Sequence, residues 1–217
     1  MTKVFAFLGA AALALAAWAQ SLAPDQLVQK ITDEVLAAIK SDKQLAAGDK
    51  QKALKLAEEK VLPYVDFEQA TRLAVGRAWR EATPEQKKRL VSEFRNMLVR
   101  TYSNAISAYQ GQTLKVLPSR GKQDPEETAV RTQFIRAGGQ PLPIDFTMRK
   151  VGDTWKVYDI TVEGVSLVMT YRSEFDAVVK QEGVDGLIKR LAQKNTPAAV
   201  GASAPRDGKA APKTDPK

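Results

Sequence analysis

The sequence predicts an α+β domain in which helices come first, a four-stranded twisted antiparallel sheet follows, and two further helices pack back on it. Three observations carry this reading. From residue 24 to about 109 apolar residues recur at helical spacing, and from 113 to 162 they alternate with a period of two. Within the run 155–175 one pattern turns into the other. Residues 155–162 are β-branched and aromatic, Glu163 and Gly164 interrupt them, and Val168, Tyr171, Phe175, Val178 and Val179 then follow at i, i+3, i+7, i+10 and i+11. Strict alternation would put Trp155, Val157 and Asp159 on one strand face and Tyr158, Ile160 and Val162 on the other, so a strand with apolar groups on both faces is expected inside the sheet.

Taken in order, Pro24 and Asp25 start a first helix, to about residue 40, whose stripe is Leu27, Val28, Ile31, Val35, Leu36 and Ile39. After a break at Ala46, Ala47 and Gly48, a second helix over 50–62 carries Leu54, Ala57 and Val61 on one side and stops before Pro63. Asp66 is placed to cap a third helix through Phe67, Ala70, Leu73 and Ala74 to Gly76, and residues 77–80 continue or kink it. Thr83, Pro84 and Gln86 supply an N-cap, an N1 proline and a capping-box partner. The helix they open is the longest, to about 109, with a broad apolar face of Leu90, Phe94, Met97, Leu98, Thr101, Ala105 and Ala108 widened by Tyr102, Ile106 and Tyr109.

Strands are expected at 113–117, 127–136, 142–148 and 155–162, the last two joined by a tight turn at Gly152 and Asp153, which makes an antiparallel meander. Gly183 reads as a helix stop, and Val184, Leu187, Ile188 and Leu191 as a last short amphipathic helix. From Lys194 alanine, proline, glycine, lysine and aspartate run without an apolar period, so 194–217 is expected as a disordered tail. Residues 1–19, with Lys3, an apolar stretch from Val4 and the A-x-A site ending at Ala19, read as a cleaved signal peptide rather than a span. That leaves 20–193 as a single domain.

Composition excludes several chemistries. The chain has no cysteine, hence no disulfide, no thiolate metal site and no thiol nucleophile, and no histidine, the side chain most used as a general base or zinc ligand. The formal charge is +8, or +7 once Lys3 leaves with the signal, and an exported basic protein is expected to meet an anionic membrane surface rather than nucleic acid. A solvated basic surface with part of its excess in the tail is the competing account. No Walker loop, G-x-S-x-G, H-E-x-x-H or G-x-G-x-x-G occurs. Asp145 and Asp159, on neighbouring strands, are the one conceivable carboxylate pair, and pairing with Arg149 or Lys156 or plain solvation fits them better.

Several blocks, in order, resemble the MlaC family (toluene-tolerance, or ABC-transporter auxiliary component). They are Val65-Asp66-Phe67, Gly76-Arg77-Ala78-Trp79-Arg80 followed by Ala82-Thr83-Pro84-Glu85-Gln86, the stretch 102–109, Trp155-Lys156-Val157-Tyr158-Asp159, and Glu163-Gly164-Val165-Ser166 with Tyr171-Arg172. The tail departs from the family pattern. The resemblance covers roughly residues 25–191 and implies a periplasmic carrier of glycerophospholipid, not an enzyme, with no cofactor beyond its lipid cargo. It further implies exchange with an inner-membrane ABC-transporter complex and an outer-membrane lipoprotein–porin complex, outer-membrane lipid asymmetry as the outcome, and a monomer whose sheet and helices enclose an apolar lipid pocket. Read on that basis, Leu73, Leu90, Phe94, Met97, Leu98 and Tyr102 supply a helical wall, and Val130, Phe134, Ile144, Phe146 and Met148 a sheet wall. Val165, Leu167, Val168, Tyr171 and Phe175 line or close the space between them. Each of these residues equally suits ordinary core packing. Met97, Met148 and Met169 are soft fillers that suit a variable ligand. Arg77, Arg80 and Arg172 are the candidates for headgroup phosphate or partner contact, with internal salt bridges as the alternative. A small-ligand-binding or enzymatic cone-shaped α+β domain, or a periplasmic adaptor without ligand, remain as other readings.

Overall fold

A computed structural model of the chain describes residues 22–102, 109, 111–118, 124–136 and 138–196. The expected signal peptide, residues 103–108 of the expected long helix and the tail beyond 196 lie outside the described residues. The order is α1 (Pro24–Ser41), α2 (Lys43–Ala46), α3 (Lys50–Lys60), a 3₁₀ turn at Leu62–Tyr64, α4 (Phe67–Val75), α5 (Ala78–Glu81), α6 (Pro84–Tyr102), β1 (Thr113–Val116), β2 (Glu127–Ile135), β3 (Leu142–Val151), β4 (Thr154–Val162), β5 (Val165–Ser166) and α7 (Leu167–Lys194). The sheet is an antiparallel meander, β1-β2-β3-β4-β5, with five strands where four were expected. The extra strand is two residues long and exists because Glu163 and Gly164, both at positive φ (51° and 85°), form a two-residue hairpin turn that returns the chain to β4.

Most helix starts follow from the caps. Asp66 accepts from the Gln69 N–H at 3.0 Å. The Thr83 capping box closes in both directions, the Thr83 N–H to Gln86 Oε1 (2.9 Å) and the Gln86 N–H to Thr83 Oγ1 (3.2 Å). Asp42 caps α2 by accepting from the Gln44 and Leu45 N–H groups and Asp49 caps α3 by accepting from those of Gln51 and Lys52, and Asp42 also holds Lys52 Nζ at 2.5 Å. Because α3 starts from Asp49, it buries Ala53, Leu56 and Ala57 rather than the expected Leu54 and Val61.

Among the described residues three separate apolar clusters form. α1, α2 and α3 enclose Ile39, Leu45, Ala53 and Leu56, and Tyr109, expected on the long helix, lies outside any helix and packs here. α1 also covers one end of a sheet face, joining Leu27 and Val28 to Val130, Met148 and Trp155. The largest cluster belongs to α4, α5, α6 and α7. In it Phe94 meets Tyr171 and Phe175 edge-on, with ring centroids 5.3 Å apart in both pairs.

α7 is not one straight helix. Gly183 has φ 70° and ψ −176°, values open to glycine alone, and the chain folds back there. Lys194 Nζ consequently reaches Glu174 at 2.5 Å and Arg190 bonds Glu182 across the break, with Nε–Oε1 at 3.0 Å. The helix stop expected at Gly183 and the short helix after it are thus both present. The domain extends past the expected boundary at residue 193, because Asn195 is anchored: its amide donates to the Glu93 carbonyl and carboxylate at 2.9 and 2.7 Å.

A second glycine is fixed by geometry. Gly76 ends α4 at φ 63°, ψ −124°, and a Cβ built there would lie 2.8 Å from the Arg172 guanidinium. Gly76→Ala is expected to cost about 1–3 kcal/mol through backbone strain, measured by urea unfolding, with only the steric share recovered in an Arg172→Ala background. Phe94→Ala, which empties the centre of the helical cluster, is expected to cost about 3–5 kcal/mol in the same measurement.

Candidate functional site

The sequence-derived residues divide into two kinds. Leu90, Phe94, Met148 and Phe175 are at most 1% exposed, and Met97, Val130, Val168 and Tyr171 are also buried. A side chain that offers no surface to water is not the wall of an open cavity, so these eight are filled core in this conformation. Burial, with a hydrogen bond from the Tyr171 hydroxyl to Tyr102, raises the Tyr171 pKa well above its ordinary value, so the hydroxyl stays neutral.

The second kind keeps open surface. Leu73, Leu98 and Tyr102 on the helices, Leu167 at the start of α7, and Phe134, Ile144 and Phe146 on the sheet are all half-buried. Of these Leu73 and Leu98 lie against the helical cluster and Phe146 against the sheet cluster, while Tyr102, Leu167, Phe134 and Ile144 belong to none. Val165, expected to line the cavity, is 56% exposed, because β5 is a sheet edge; Met169 is 44% exposed.

The register joins the sheet residues into one patch. Phe134 faces Leu142, Phe146 faces Ile160, and Ile144 faces Val162, all on the face that α1 covers only at the Val130–Met148 end. Leu142, Ile160 and Val162 were not singled out as site residues, and a β-bulge is the reason for two of them. Met148 pairs with Val157 and Thr147 with Asp159, leaving Tyr158 without a partner. The bulge puts Trp155, Val157, Ile160 and Val162 on a single face, where strict alternation divided them. Tyr158 turns to the opposite face, where its hydroxyl donates to Glu127 at 2.6 Å. Burial and that carboxylate push the Tyr158 pKa upward.

That opposite face is polar, and two of its carboxylates, Glu127 and Asp159, are engaged in hydrogen bonds. Asp159 accepts from the Val168 N–H (3.1 Å), its neighbour's Ile160 N–H (2.8 Å) and Ser166 Oγ (2.5 Å), so it fastens the start of α7 to β4. Asp145 lies opposite Arg131 and Thr161, not Asp159, so the conceivable carboxylate pair does not form. Among the described residues no group of acidic side chains could hold a metal ion.

The three arginines gather at the α4–α5 corner but differ in freedom. Arg172 donates to the Leu73 carbonyl at 2.9 Å and lies on Gly76, closing the end of α4. The Arg77 side chain is 84% exposed and pairs with Glu81 at 3.4 Å. Arg80 is exposed with no ion pair among the described residues.

The chain is similar to several known proteins. A phospholipid-binding protein from Ralstonia solanacearum, solved in complex with a phospholipid, is 36% identical, with a TM-score of 0.72 over 81% of this chain and 97% of that one. The intermembrane phospholipid transport system binding protein MlaC of Haemophilus influenzae is 24% identical over 173 residues, 78% of this chain and 81% of its own length. The toluene tolerance protein ttg2D of Pseudomonas putida is 26% identical over 163 residues, 75% of each. The model of the MlaC protein family matches residues 29–193, and with that span, most of the described fold, the chain belongs to the MlaC family.

Proposed function

We propose that the protein is a non-enzymatic carrier of glycerophospholipid in the periplasm, taking acyl chains against the open apolar patch of its sheet. It moves them between an outer-membrane lipoprotein–porin complex and an inner-membrane ABC-transporter complex, and so maintains outer-membrane lipid asymmetry. The observation that carries the reading is the patch itself. Phe134, Leu142, Ile144, Phe146, Ile160 and Val162 share one sheet face and stay half-buried beside a helical core that is fully packed. A grouped, partly uncovered apolar surface is a binding surface more often than an accident of folding. The phospholipid held by the Ralstonia solanacearum relative supplies a ligand class of matching chemistry.

Energetics explain why a carrier serves. Each methylene withdrawn from water is worth about 0.8 kcal/mol, so two long acyl chains represent on the order of 20 kcal/mol, and free lipid crosses water very slowly. The carrier surface has to match a bilayer closely, because a much tighter one would not hand its cargo on; a partner that changes the pocket then drives release. The headgroup falls to the α4–α5 corner, where Arg80 and Arg77 are free to meet a phosphate or a partner, while Arg172 is held by its capping role.

Native mass spectrometry of the purified protein should show an adduct of phospholipid mass. Ile144→Asp should remove that adduct while unfolding stays cooperative, whereas Phe94→Ala should weaken folding and keep the adduct. An undiminished adduct in Ile144→Asp would place the cargo elsewhere. Arg80→Glu should leave stability within about 0.5 kcal/mol and slow lipid delivery to vesicles that carry the partner complexes; unchanged delivery would remove Arg80 from the site.

A further inference from the structure

One of the two edges of the sheet borders a groove that the lipid reading does not use. Thr113–Val116 forms the edge strand β1, paired on one side only. The Leu117 N–H donates to the Arg131 carbonyl (2.9 Å) in register with Val116 opposite Thr132 and Thr113 opposite Ile135. In an antiparallel pair this alternation aims the main-chain groups of Thr113 and Lys115 at β2 and turns those of Leu114 and Val116 outward. Among the described residues nothing pairs with the outward groups. An edge of this kind is a template for another strand.

Beside it runs a groove of about 580 Å³ lined by Asp25, Gln26, Gln29, Lys30, Asp33 and Glu34 of α1 and by Val116 of β1. In a chain of net charge +8 the groove is locally acidic. Glu34 is neutralised by Lys60 at 3.1 Å and Lys30 at 3.9 Å. Asp33 accepts only the neutral Gln29 amide, at 2.9 Å, and neither Asp25 nor Asp33 has a cationic partner among the described residues. At about 1.5 Å per helical residue, Asp25 and Asp33 stand about 12 Å apart along α1. Residues i and i+4 of an extended strand are separated by about 13 Å.

We propose that β1 and α1 together receive an extended segment of a partner protein as a sixth strand, with basic residues at i and i+4 facing Asp25 and Asp33 and an apolar residue at i+2 over Val116. Main-chain bonds to Leu114 and Val116 supply attachment, and the two carboxylates set register and charge preference. This surface serves a docking partner and leaves the apolar patch of the sheet free for cargo, so its test is independent of lipid.

The probe is a capped peptide, Thr-Lys-Thr-Val-Thr-Lys-Thr, with a control in which both lysines are replaced by glutamate. Added to the full chain, the lysine peptide should slow amide hydrogen exchange at Leu114 and Val116 by about tenfold or more, and the control should not. Leu114→Pro removes an outward N–H and no β1–β2 bond, so it should abolish binding with the unfolding midpoint unchanged. The double substitution Asp25→Lys with Asp33→Lys should weaken binding by about tenfold or more. Three results would overturn the proposal. One is equal binding of the glutamate control. Another is protection of both amides in the dilute free protein, which would mean that this chain covers its own edge. The third is protection that grows with protein concentration alone alongside a dimer in light scattering, which would assign the edge to a second copy.

Discussion

Two aspartates, Asp66 bonded to the backbone of β4 and Asp159 within it, set the direction of α4 and α7. Asp66 donates its N–H to the Val157 carbonyl (2.7 Å), accepts from Arg149 Nε (2.6 Å), and caps α4 through Gln69. The Asp66 side chain is 8% exposed and that of Arg149 38%, so loss of Arg149 would strand a nearly buried carboxylate. Asp159, on β4 itself, holds Ser166 and Val168 and so aims the first turn of α7. α4 and α7 are the elements that build most of the helical cluster, and both take their direction from these carboxylates. Each acts as a positioning group.

The separation of filled core from open patch follows from that arrangement. Because α4 and α7 are tied to the edge of β4 and α1 covers the Val130–Met148 end, the Phe134–Ile144 end of the same sheet face is left partly uncovered. Stability resides in the buried helical cluster, while part of the sheet face stays open. Changes in one therefore need not be felt in the other, which is useful to a protein that must bind and release a large apolar ligand while remaining folded.

Local chemistry made much of this readable. The caps at Asp66 and Thr83, the glycine break at 183 and the meander were all written in adjacent residues, where propensity and hydrogen bonding act over a few positions. What stayed hidden was set at longer range. The bulge at Tyr158 exists because β3 and β4 must reconcile Met148 with Val157 and Thr147 with Asp159, and period-two reasoning has no term for an extra residue. The division of Phe94 from Phe134, one core and one open, depends on which helix covers which end of the sheet. Arg172 looked like a free cation until the Leu73 carbonyl, 99 residues away in sequence, was brought beside it.

The fold-back at Gly183 bears on the order in which the chain can assemble. Every strand of the sheet pairs with its immediate neighbour, so that layer closes through contacts local in sequence. The helical layer does not: Leu187, Ile188 and Leu191 complete a cluster begun at Ala70, and Asn195 is bound back to Glu93. Contacts of such separation carry the larger loop-closure entropy and form late. The segment after Gly183 is thus the keystone of the core, and the helical layer stays unfinished until that segment has joined helices laid down about a hundred residues earlier.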